Sequence, residues 1–129
     1  MWRAGAAAAP ESVAALVTAF PGLPAAYLEF LRSSSGAEGD LGVHPGWIQL
    51  WPAEQVIEYN AMYGIAEHLP GFVGFASNGG GELLAFDSRV APWRVCMVPC
   101  VPTAEEEAVQ IAPDFTSLAR QFGRLPPAG

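Results

Sequence analysis

The feature that most constrains this chain is a pair of apolar runs held apart by four turn-forming residues. Phe72-Val73-Gly74-Phe75-Ala76-Ser77 and Glu82-Leu83-Leu84-Ala85-Phe86-Asp87 flank Asn78-Gly79-Gly80-Gly81. Glycine and asparagine accept positive φ at little steric cost, so this arrangement predicts a β-hairpin and, with it, an antiparallel sheet. A glycine run also suggests a phosphate cradle, but a Walker loop needs Lys-Ser/Thr directly after its last glycine and then a helix. Here Glu82 follows, a carboxylate that would repel phosphate, and the chain enters a strand.

The remaining elements follow from periodicity. Val13, Leu16, Val17 and Phe20 fall at i, i+3, i+4 and i+7, which predicts a helix over 11–20 ended by Pro21-Gly22. Pro24 opens a second helix with Tyr27, Phe30 and Leu31 on its apolar face, and Ser33-Ser34-Ser35-Gly36 leads from it to a polar turn around Glu38-Gly39-Asp40. Trp47-Ile48-Gln49-Leu50-Trp51 reads as a strand, with Trp47, Gln49 and Trp51 on one side and Ile48 and Leu50 on the other. Pro52-Ala53-Glu54 opens a third helix, striped by Val56, Tyr59, Asn60 and Tyr63 and stopped by Gly64. Its Glu54 and Glu58 lie in the N-terminal half, where the helix dipole favours negative charge. Residues 93–101 supply a further strand. A last helix begins at Pro113, turns Phe115, Leu118, Ala119 and Phe122 inward, and ends at Gly123. The expected architecture is α+β: a mainly antiparallel sheet with about four helices packed against it in a single domain over 11–123. Residues 1–10 are expected to be a loose lead-in and 124–129 a flexible tail.

Charge narrows the partners. Thirteen acidic side chains face six basic ones, all arginine and scattered, for a net charge of −7. No continuous positive stripe exists to follow a phosphate backbone, so direct nucleic-acid binding is not expected, whereas a basic partner fits. With 51% hydrophobic residues the chain is expected to fold around its own core rather than behave as a disordered acidic tail. No apolar stretch reaches the length of a membrane span. The alanine-rich start stops at Pro10-Glu11, short of a leucine-type leader core, and the expected compartment is the cytoplasm.

Catalytic patterns are thin. His44 sits in a turn and His68 near a loop end, and neither has a second ligand at a spacing that recurs in metal sites. No serine stands in a Gly-x-Ser-x-Gly elbow. Cys96 and Cys100, four apart on a strand, are too far from each other for a disulfide unless the chain bends at Pro99, and read as buried structural thiols, with a metal or redox pair as the alternative. No cofactor and no metal is expected, and the chain is not expected to be an enzyme. The triple glutamate at 105–107 is a solvated loop or a contact for a basic partner. Trp47 and Trp51 are either core or a binding hot spot.

Taken in order, Leu23-Pro24 with Tyr27 and Phe30-Leu31, the Trp47–Trp51 strand, Glu58-Tyr59-Asn60, and Leu69-Pro70-Gly71 leading into Phe75-Ala76-Ser77-Asn78-Gly79-Gly80-Gly81-Glu82 form a recognisable pattern. With Phe86-Asp87 and Ile111-Ala112-Pro113-Asp114-Phe115 it resembles the SUKH superfamily, the immunity-protein group that includes the Smi/Knr cell-wall regulators. The similarity covers about residues 11–123 and departs at the short, proline-containing stretch after Phe86-Asp87. The resemblance implies a non-catalytic α+β protein-binding domain, an immunity protein that neutralises a polymorphic, nuclease-type toxin by binding it. Other members are intracellular regulatory or scaffold modules, which makes a host-protein partner the alternative. The docking face is expected around the hairpin and the third helix, at Trp47, Glu54, Glu58, Glu82 and Asp87.

Overall fold

A computed structural model describes residues 1–100 and 107–126. In chain order the elements are β1 (Trp2–Arg3), α1 (Pro10–Ala19), α2 (Ala25–Ser33), β2 (Glu38–Asp40), β3 (Trp47–Leu50), α3 (Ala53–Met62), α4 (Ile65–His68), β4 (Phe72–Ser77), β5 (Glu82–Asp87), β6 (Arg94–Pro99), β7 (Val109–Ala112) and α5 (Phe115–Ala119). The seven strands pair antiparallel in sequence order, β1 to β7, and the helices occupy the connections or follow the last strand. The fold is thus α+β in a single domain, with five helices among the described residues where about four were expected.

The β4–β5 hairpin stands at the centre of the sheet. Its turn is built by Asn78, whose Oδ1 accepts from the Gly80 and Glu82 amides at 2.9 and 3.2 Å, while Gly79 takes φ 78°. Every residue of β5 from Leu83 to Asp87 is buried, so both of its faces are covered. Beyond it, the stretch after Asp87 closes quickly, and β5 and β6 pair from Glu82↔Pro99 to Asp87↔Arg94 without a break. Around Tyr27 the core is aromatic: its ring meets Phe75, Phe86 and Phe115 edge-on at 5.6, 5.2 and 5.4 Å, and Phe75 stacks on Phe86 at 4.2 Å. Such pairs add about 0.5–1.5 kcal/mol each beyond area burial. The Tyr27 hydroxyl is buried there and has no hydrogen-bond partner among the described residues.

Where β3 ends, α3 takes over its neighbour's exposed edge. β3 pairs with β4 only at Gln49↔Ser77 and Leu50↔Ala76. The next open backbone on β4 is that of Gly74, and the buried Asn60 supplies its partners: Nδ2 donates to the Gly74 carbonyl and Oδ1 accepts from its amide, both at 2.8 Å. A carboxamide has the same donor–acceptor pair as a peptide, so one side chain replaces one ladder position. Glycine at 74 leaves room for this close packing: a Cβ there would lie 2.6 Å from Ile65 Cδ1 and 3.1 Å from the Trp51 ring, so those side chains would have to shift.

Several segments differ from the sequence expectations. Residues 1–10 are not wholly a loose lead-in: Trp2 pairs with Gly39 and stacks on Phe122 at 4.7 Å, Arg3 reaches Glu38 at 2.7 Å, and the Met1 amino group pairs with Asp40. The polar turn at 38–40 is a strand, and so is Val109–Ala112. β3 stops at Leu50, so Trp51 leaves the line of Trp47 and Gln49 and turns inward; Trp51 is buried, Trp47 half-buried and Gln49 exposed. Cys96 is buried, as expected, but Cys100 is only half-buried, and both are free thiols. Val101, Glu105, Glu106 and residues 127–129 lie outside the described residues, so the strand end, most of the triple glutamate and half of the tail do too. Among the described residues, no helix is long and apolar enough to cross a membrane.

Candidate protein-binding surface

The five expected interface residues separate into three places. Asp87 is not on the surface at all. It is fully buried at the end of β5, where Arg89 Nε and Nη2 donate to its two oxygens at 2.9 and 3.1 Å, the Arg89 amide donates at 3.0 Å, and Arg94 Nε donates at 2.9 Å. The Arg89 hydrogen bonds, supported by Arg94, hold its carboxyl at about 2, against the desolvation that burial imposes. Asp87 is therefore a structural ion centre, and the placement of this residue on a docking face is corrected.

Trp47 and Glu82 gather at the hairpin turn. A Cβ on Gly79 would lie 3.4 Å from the Trp47 ring, and Glu82 Oε1 accepts from Asn78 Nδ2 at 3.0 Å. Both residues are half-buried, and Glu82 is thereby tied into the turn it follows.

Glu54 and Glu58 are exposed on α3. They share one stripe with Ile57, Ala61 and Met62, at i, i+3, i+4, i+7 and i+8, and all five are exposed. Ile57 keeps 40% and Met62 62% of its surface in water, so the stripe alternates carboxylate with large apolar side chain. The inward stripe of the same helix, Val56 and Asn60, is buried, which fixes the helix's orientation. α1 packs against α3 and exposes Glu11 and Val17 to water, and Glu67 is exposed on α4. Ile57 and Met62 were not picked out from the sequence, although they occupy the helix positions opposite the predicted inward stripe.

The electrostatics of this side come from the distribution of arginine. Between Arg32 and Arg89 there is no arginine or lysine, but there are seven carboxylates. Three of them are neutralised, Glu38 by Arg3, Asp40 by the amino terminus and Asp87 by Arg89 and Arg94. Among the described residues, Glu54, Glu58, Glu67 and Glu82 form no ion pair.

A groove of about 370 Å³ runs between the hairpin side and α3, walled by Trp51, Tyr59 and Tyr63 and rimmed by Gln49, Gln55 and Ser77. It joins the Trp47/Glu82 end to the α3 stripe, since Ser77 and Gln49 belong to the first and Met62 to the second. The two histidines are exposed, His44 in the β2–β3 connection and His68 closing α4. Among the described residues no three His, Cys, Asp or Glu side chains are placed to hold a metal ion. Burial raises the pKa of the Cys96 thiol, so it is not poised as a nucleophile.

A comparison with curated proteins finds none that matches this chain. A comparison with protein families does find one: the SMI1/KNR4 (SUKH-1) family model matches residues 10–121, from the start of α1 to just beyond α5. That span includes the hairpin, the Asn60–Gly74 junction, the Asp87 centre and the acidic α3 face, and the chain belongs to the SMI1/KNR4 (SUKH-1) family.

Proposed function

We propose that this chain is an immunity protein: a non-catalytic domain that acts in the cytoplasm by binding a basic, nuclease-type toxin and covering its substrate groove. The observation that carries the reading is the α3 stripe, where unpaired Glu54 and Glu58 alternate with exposed Ile57 and Met62. Exposed apolar side chains ringed by charge suit a protein interface, because the apolar groups supply affinity once desolvated and the charges supply steering and partner choice. A groove that evolved to hold nucleic acid is cationic, and a face without arginine or lysine between residues 32 and 89 complements it. Family membership supports a protein partner in general, and the cognate toxin is the proposal made here.

The test is to sequence the genes beside this chain's and to co-express a toxin domain encoded there with the chain in a bacterial host. A neighbourhood without a toxin gene would favour the host-protein alternative. The unaltered chain is expected to restore growth, and the double variant Glu54→Lys/Glu58→Lys to fail while remaining folded. Growth restored equally by both would remove α3 from the interface. No rescue by the unaltered chain would overturn the immunity reading.

A further inference from the structure

The groove between β3 and α3 has a composition unlike the rest of the acidic side. Its floor is aromatic: the Trp51 ring lies nearly parallel to Tyr63, 9° apart with centroids at 6.0 Å, and edge-on to Tyr59 at 5.1 Å. Its rim carries the carboxamides of Gln49 and Gln55, and among the described residues neither makes a side-chain hydrogen bond. Glu58 stands beside it on α3, three residues from Gln55 and four from Met62, both of which line the groove.

We infer that this groove seats an arginine side chain presented by the basic partner, an inference that rests on the reading of the acidic face as a docking surface. A guanidinium is planar, weakly hydrated and rich in donors, so it can lie against a tyrosine or tryptophan face while its N–H groups reach the Gln49 and Gln55 oxygens and the Glu58 carboxylate. An apolar side chain would strip water from those carboxamides and offer nothing in return. An anion would meet Glu58 with no arginine or lysine between residues 32 and 89 to offset it. A lysine would supply charge but neither the flat stacking surface nor the fork of donors.

The experiment is NMR titration of the isotope-labelled full chain with three probes, acetyl-Gly-Arg-Gly-amide and its lysine and citrulline counterparts. The arginine peptide is expected to shift the Trp51 indole and the Gln49 and Gln55 side-chain amide signals. It should bind at least about threefold more tightly than the lysine peptide, with no binding by neutral citrulline. Gln55→Lys, a change at a half-exposed position, should abolish those shifts without unfolding the chain. Equal binding of arginine and lysine, or shifts confined to Ile57, Glu58, Ala61 and Met62, would overturn the groove as an arginine seat and leave the acidic docking face standing. Arginine-specific binding at the groove in a chain that neutralises no toxin would uphold the seat and overturn the immunity reading alone.

Discussion

Asp87 and Glu58 are both carboxylates in the long stretch of chain that has no arginine or lysine, and the fold treats them in opposite ways. Asp87 ends a strand whose two faces are covered; it has lost all contact with water and is held by two arginines that follow it within seven residues. Glu58 lies on the outer stripe of α3, in water, with no ion-pair partner among the described residues. The first charge is committed to the folded state, and the second is left for something outside it. An acidic composition by itself does not locate a docking face, because the charge that is satisfied internally has to be removed from the total first.

The largest effect should come from breaking the committed charge. Asp87→Ala leaves two guanidinium groups facing an empty site and is expected to destabilise the domain by about 3–5 kcal/mol, read from urea or guanidinium unfolding. Glu58→Ala should shift the same curve by less than about 0.5 kcal/mol. Asn60→Ala comes next, at about 2–4 kcal/mol, because the Gly74 amide and carbonyl then lose their partners together inside the core. A cost as small as that of Glu58→Ala would mean that water replaces the carboxamide.

Acid sharpens the contrast without a mutation. The folded Asp87 carboxyl titrates at about 2, below its unfolded value of about 4. Its contribution is therefore fully present above pH 4 and is lost as pH falls toward 2, about 2 kcal/mol in all. Unfolding midpoints measured across that window should fall for the unaltered chain, and this component should vanish in Asp87→Ala. Tyr27→Phe gives a smaller effect than the buried ion pair or Asn60, and of the opposite sign. Its hydroxyl is buried with no partner among the described residues, so removing it should stabilise the fold by about 1 kcal/mol. A loss of stability on that change would show that the hydroxyl has a partner in solution.

The parts of this arrangement that were legible in the sequence are those written in local pattern. The hairpin was readable because its turn residues and its two apolar runs are adjacent, and α3 because Val56, Tyr59 and Asn60 repeat at helical spacing. Glu54 and Glu58 followed from that helix. β1, β2 and β7 were not readable, since strands of two to four residues are too short for a period and gain their identity only from the neighbour they pair with. Asp87 was misplaced for a related reason. A carboxylate at a strand end is ordinarily solvated, and only the return of Arg89 and Arg94 onto the same point shows otherwise. Trp51 turned inward because β3 ends one residue before it, a boundary that Pro52 signals. Alternation alone did not weigh that signal.

The central claim is that the uncommitted carboxylates of α3 meet a basic partner. Its most direct measurement is the association rate with the cognate toxin domain as a function of ionic strength, for the unaltered chain and for Glu54→Lys/Glu58→Lys. Association of the unaltered chain is expected to be fast and to slow steeply with added salt, and the charge-reversed chain to associate at least about tenfold more slowly at low salt with most of that salt dependence gone. Equal rates for the two chains, with the same response to salt, would contradict it.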